Sequence, residues 1–194
     1  MKRNILTILL VSAVILSSVG CGDNSSKTEN NTVVDSVRSV PKDTSQASST
    51  STAMINEFAT NAAIGNMMEV EIGKIAQSNG GSAEVKEYGK MLQTDHSAAN
   101  TKLQSVAEAE HITLPTAMDA EHSAHAKEMG AMKGVDFDKA FIPMMIEDHN
   151  KDIAEFKKAA DSNPNQKIKD FASMTLPTLQ KHLDKANSIK SKMK

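Results

Sequence analysis

The chain has 194 residues, a formal net charge of −2, no Trp and a single Tyr, Tyr88. That length holds one ordinary domain plus appendages, and a near-neutral balance without aromatics beside Lys or Arg excludes a base-stacking platform, so nucleic acid is not an expected partner. The one cysteine, Cys21, rules out an internal disulfide, so a folded domain must hold by core burial alone.

Lys2 and Arg3 precede an apolar run from Ile5 to Leu16, and Ser17-Ser18-Val19-Gly20 supply small residues before Cys21. This is signal-peptide architecture, and the run is too short for an ordinary membrane-spanning helix. The Cys resembles that of a bacterial lipobox, with Ser18 standing where Leu is usual. The resemblance implies cleavage after residue 20 and lipidation of Cys21. Losing Lys2 and Arg3 takes the mature chain to about −4 (−2 minus 2). Several acyl chains on one residue anchor firmly at about 0.8 kcal/mol per buried CH₂. The expected location is the cell envelope, lipid-anchored at the outer membrane and facing the periplasm or surface. Thirteen of the 31 residues in 22–52 are Ser or Thr, too polar to offset ordering entropy. With Cys21 they read as a disordered tether, 21–52, spanning roughly 30 Å.

From Ala53 the apolar spacing is helical. A first helix over 53–78 carries Phe58, Ala62, Gly65, Ile72 and Ala76, and Asn79-Gly80-Gly81 stops it. A second runs from the N-cap Ser82 to about 111 with Val85, Tyr88, Leu92, Ala99, Leu103 and Val106 on its stripe. A short helix near 116–132 is opened by Thr116 and closed by Gly134. The third main helix follows Asp136 with Phe137, Phe141, Met145, Ile153, Phe156 and Ala160. Asn163-Pro164 reads as cap and first-turn proline of the fourth, which carries Ile168, Phe171, Leu179, Ala186 and Ile189. Four such helices predict an all-α, ferritin-like four-helix bundle over 53–194, with a crossover helix between helices 2 and 3. An internal echo fits two related hairpins: Val85-Lys86-Glu87-Tyr88-Gly89-Lys90-Met91 recurs in chemical type 83 residues on, at Ile168 to Met174.

Further motifs carry a resemblance. They are Glu69 to Ala76, Met91 to His96, Gly134 to Phe141, Asp148-His149 and Leu176 to Leu183. Over about residues 53–193 the chain resembles a family of bacterial envelope proteins, labelled outer-membrane proteins, built on a domain of unknown function. The resemblance implies a ferritin-like fold and an envelope location, and no established activity.

Each main helix has one titratable residue where its stripe should be apolar: Glu69, His96, His149 and His182. Such groups are costly to bury unless paired or metal-bound, and this set suits iron, manganese, zinc or copper. Gln93 and Leu179 stand where a di-iron centre needs the Glu of Glu-x-x-His, which argues against ferroxidase or oxygenase chemistry. Counting from the hairpin turns spreads the four over roughly 13 Å, too far for one ion to collect all of them, though Glu69 with His149, or His96 with one neighbour, could meet. Asp95 and Asp148 each precede a His as outer partners or surface charges. Pro143 and Pro177, inside helices 3 and 4, predict bends near His149 and His182.

The crossover helix offers another candidate. Met118, His122, His125, Met129 and Met132 share one face, a set that suits copper or packs as a lid. No nucleophile elbow, phosphate loop or Cys/His pair marks an enzyme. The leading expectation is a non-catalytic, envelope-anchored binding or structural module whose ligand and protein partners the sequence does not name. Its alternative is a metal-binding envelope protein with a transition metal ion as cofactor.

Overall fold

A computed structural model describes residues 44–193. The leader, Cys21 and the tether up to residue 43 lie outside them. Five helices follow in order: α1 Thr44–Asn79, α2 Ala83–Glu110, α3 Ala120–Ala131, α4 Gly134–Ser162 and α5 Gln166–Lys192. None is long and apolar enough to cross a membrane.

Local chemistry sets the boundaries. Ser82 caps α2, its Oγ accepting from Val85 N at 3.2 Å. The sequence places four boundaries differently from the structure. α1 begins nine residues before Ala53, so the end of the expected tether is helical. α3 is capped by Asp119 rather than Thr116, because the Asp119 carboxylate accepts from His122 N at 2.9 Å. Asn163 ends α4, and Asn165, beyond Pro164, caps α5 by accepting from Ile168 N at 3.1 Å. The 83-residue echo thus reaches the caps: Ser82 serves Val85 as Asn165 serves Ile168. Gly134 opens α4 rather than closing α3; its φ of 62° suits a residue without Cβ.

The long helices pack in a ring, α1 on α2, α2 on α5, α5 on α4 and α4 on α1, while α3 lies across α1 and α4. Contacts at the ends fix direction. Gly80 bridges to Gly134. The Asp138 carboxylate of α4 accepts from Gly81 N at 2.8 Å and Ser82 N at 3.0 Å. Glu84 pairs with Lys192 at 2.7 Å, so the end of α5 reaches the same end of the ring. At the other end Glu110 pairs with Lys167 at 2.7 Å. The turn joining α1 and α2 and the turn joining α4 and α5 therefore lie at opposite ends, because α3 returns the chain to its starting end.

Two apolar clusters fill the interior. One holds Ile72, Tyr88, Leu92, Phe141 and Met145; the other holds Phe58, Leu103, Ile153, Phe156 and Leu179. Glu69, His96, His149 and His182 are all buried. On α2 and α4 the polar residue falls between the stretch feeding one cluster and the stretch feeding the other; on α1 and α5 it lies one residue inside that border, next to Met68 and Leu183.

Candidate metal centre

The four polar positions converge. One ring nitrogen from each of His96, His149 and His182 lies within 4.8 Å of the others. Glu69 Oε2 is 2.8 Å from His96 Nδ1, and Glu69 Oε1 is 3.4 Å from His149 Nε2. This overturns the expectation that height keeps the four apart. Measured from the end shared by Gly80, Ser82, Gly134 and Lys192, they stand at roughly 15 to 23 Å by helical rise. A 13 Å spread requires the two turns to be level, and they lie at opposite ends.

Close approach of α1 and α2 helps to bring Glu69 to His96. A Cβ on Gly73 would lie 2.6 Å from Gly89 O, and one on Gly89 would lie 2.6 Å from Ala76 Cβ. Only glycines let the two backbones meet there.

Each imidazole is oriented by an acceptor at one ring nitrogen, which for His149 and His182 lies outside the layer. His149 Nδ1 donates to Met145 O at 2.9 Å. His182 Nε2 donates to Asp95 Oδ2 at 2.9 Å. His96 Nδ1 faces Asn66 Oδ1 and Glu69 Oε2, both at 2.8 Å. Carbonyl and carboxylate oxygens only accept, so these contacts place the ring protons on His96 Nδ1 and on the outer nitrogens of the other two, His149 Nδ1 and His182 Nε2. His149 Nε2 and His182 Nδ1, 3.1 Å apart in hydrogen-bonding geometry, then point lone pairs at one another. His96 Nε2 and Glu69 Oε1 are buried with no hydrogen-bond partner among the described residues.

Facing lone pairs repel unless a cation stands between them. A proton is a poor choice. Burial, then the neighbouring His96, pushes His182 down to about 4. Burial likewise lowers His149. Burial would raise the Glu69 carboxyl, but His96 and His149 outweigh it and hold it down to about 2. At neutral pH the His149 and His182 rings are thus neutral beside a carboxylate, and no Lys or Arg among the described residues pairs with that carboxylate.

The His182 shift has a checkable sign. An unfolded chain protonates this ring near 6.5, whereas the folded chain waits until about 4. Below 6.5 the unfolded state therefore binds more protons. The contribution of His182 to stability is complete above pH 6.5 and is lost as pH falls toward 4. In the metal-free protein the His182 ring resonances are expected to keep neutral-imidazole shifts at pH 5; titration near 6.5 would contradict the burial argument.

A cleft of about 400 Å³ opens between α1, α3 and α4, and Glu69 lies in its wall with Glu121, Asp148, Asp152 and Glu155. Burial and Glu69 push Asp148 up to about 6 and Asp152 up to about 8. Burial is the larger cause for both and the charge of Glu69 adds to it; Glu121, Glu155 and Lys151 add to the charged lining of the cleft.

The two aspartates that precede histidines part company. Asp95 is the outer partner of His182, while Asp148 faces the cleft. The crossover set is divided. Met129 is buried, Met118 and Met132 pack against the same core, and His122 and His125 line the cleft. Its five residues do not form one ligand shell. Sequence reasoning missed Asn66, although its position three before Glu69 puts it on the same helical face.

A family model described as a domain of unknown function (DUF4142) matches residues 40–189, and the chain belongs to that family. No curated protein and no solved structure matches it.

Proposed function

We propose that this DUF4142 protein is a metal-binding module of the cell envelope, holding one divalent transition-metal ion in the layer formed by Glu69, His96, His149 and His182. The observation that carries the reading is the His149 Nε2–His182 Nδ1 pair, 3.1 Å apart, with both outer nitrogens already bound to acceptors. An ion about 2.0–2.1 Å from each nitrogen would see them at an angle of about 100°, between octahedral and tetrahedral values. Glu69 supplies the negative charge that such an ion balances. Three imidazoles and one carboxylate favour borderline metals such as zinc, copper, iron or manganese over magnesium or calcium.

Two antiparallel hairpins joined by a long crossover support reading the bundle as ferritin-like, but with a mononuclear rather than a di-iron centre. The leader, the small residues before Cys21 and the polar tether support a lipid anchor that holds this domain at the outer membrane. With no nucleophile placed at the layer, binding is a better reading than catalysis by side chains.

Metal analysis of the purified full chain after loading with each of the four metals is the test. One ion per chain is expected. The His96/His149/His182 triple Ala variant should lose it while keeping its helical circular dichroism. Replacing His122 and His125 should leave the stoichiometry unchanged. Loss only on replacing His122 and His125 would move the site to α3. Failure to load under any condition would leave a hydrogen-bonded structural layer and a module without a metal.

A further inference from the structure

The methionines are not spread evenly over the interior. Eight of the chain's 12 (three buried, five packed against them) belong to the cluster of Ile72 and Phe141, and none to the cluster of Phe58 and Leu103. Three of these thioethers dock the crossover. Between residues 116 and 133, Ala126 and Met129 are buried in that cluster, Met118 and Met132 are half-buried against it, and the other alanines are exposed. Polar bonds do little to hold α3. Asp119 and His122 bond to one another. Among the described residues, the side-chain hydrogen bonds from another helix come from Asn79, whose Nδ2 donates to Gly130 O at 3.1 Å and Met132 O at 2.8 Å. One end of α3 is therefore tied by hydrogen bonds, and the other rests on apolar packing. Met118 stands just before the Asp119 cap and lines an open cleft with Met67, so solvent reaches it. Met132 caps the far end and is half-buried, whereas Met129 is 5% exposed and shielded.

We propose that Met118 and Met132 are oxidation sites at which a peroxide turns α3 from a docked into a released helix. The thioether sulfur attacks one peroxide oxygen. An S–O bond forms, the O–O bond breaks, and the other oxygen leaves with the proton as water. Sulfur loses two electrons and the peroxide gains them. A polar sulfoxide replaces a flexible apolar side chain. An apolar cluster supplies few hydrogen-bond donors, so the oxidised side chain favours water over the core. Release starts at the Asp119 end, because Asn79 keeps the other. α3 forms one wall of the cleft in which Glu69 lies, so release opens that cleft. The step involves no metal and stands apart from the metal reading above.

The test uses the metal-free full chain and hydrogen peroxide. Peptide mass spectrometry should find sulfoxide at Met118 and Met132. Amide hydrogen exchange over residues 119–129 should then quicken by about tenfold, the equivalent of one buried polar group left unsatisfied, while α2 and α5 keep their rates. The change should be largest near Asp119, and a methionine sulfoxide reductase should reverse it. Met118→Leu combined with Met132→Leu conserves volume and apolarity. In that chain peroxide should leave α3 exchange unchanged, although Met54 and Met174, 37% and 62% exposed, are still oxidised. Met118→Gln, which places a polar group there without any oxidant, should loosen α3 by itself. Oxidation confined to Met54 and Met174 would overturn the inference. So would sulfoxides at Met118 and Met132 with unaltered exchange, equal loosening by peroxide in the double Leu chain, or a Met118→Gln chain that exchanges like the parent.

Discussion

His149→Ala lowers the affinity for a divalent transition metal by about 100- to 1000-fold, and Asp95→Asn lowers it by about 10-fold. The first figure follows from spreading a structural-site binding energy of about 10–16 kcal/mol over four ligands, roughly 3 kcal/mol each. His149 is the ring most tightly specified: it is fully buried, its Nδ1 proton goes to Met145 O, and its Nε2 faces both His182 and Glu69. No neighbouring side chain can take its place. Asp95 meets the layer at His182 Nε2, 2.9 Å away. Its carboxylate makes that imidazole a better donor and fixes its ring. Removing such an outer charge typically costs 10–100-fold, and Asn retains one acceptor oxygen, which puts the effect at the low end. Competition against a chelator of known affinity measures both variants. Equal losses for the two, or no loss for either, would show that the layer is not the binding site.

Gly89→Ala destabilises the fold by about 3 kcal/mol, while Gly65→Ala, in the same kind of backbone, stabilises it. A Cβ at residue 89 would sit 2.6 Å from Ala76 Cβ and 2.7 Å from Gly73 O, both too close for any real contact. The helices must separate, and overpacking of this kind costs about 1–3 kcal/mol. At residue 65 nothing lies within 4 Å of the added carbon. There the helical gain of Ala over Gly, about 0.5–1 kcal/mol, is unopposed. For a domain of this size the two variants should melt about 6–12 °C below and about 1–4 °C above the parent. Separation of α1 from α2 also draws Glu69 and Asn66 away from His96, so Gly89→Ala should weaken metal binding as well. A Gly89→Ala chain that melts with the parent would show that the close approach is not needed.

Much of this was legible in the linear order of residues. The 3.6-residue spacing of apolar side chains marks all the long helices. A single titratable residue interrupting each stripe marks Glu69, His96, His149 and His182, because burial forbids a lone charge whatever the fold. Ser82 reads as a cap because its hydroxyl needs only the next turn of chain. These are local or periodic facts, and they survive without knowing what packs on what.

The rest needed the fold. Whether four polar residues meet depends on the relative height of two hairpins, and nothing within either hairpin encodes it. α3 decides it by carrying the chain back beside Gly80, so that the turns lie at opposite ends and the four residues come level. Gly73 and Gly89 look like ordinary helix-weakening residues until their backbones are found against each other. Asn66 looks like a polar surface residue until its amide is found buried on His96. The direction in which each imidazole donates is decided by Met145 O, Asp95 and Asn66, on three different helices. Residue type and period determine which groups must be buried. Only the packing of the helices determines which of them share a space, because that depends on distances between segments far apart in the chain.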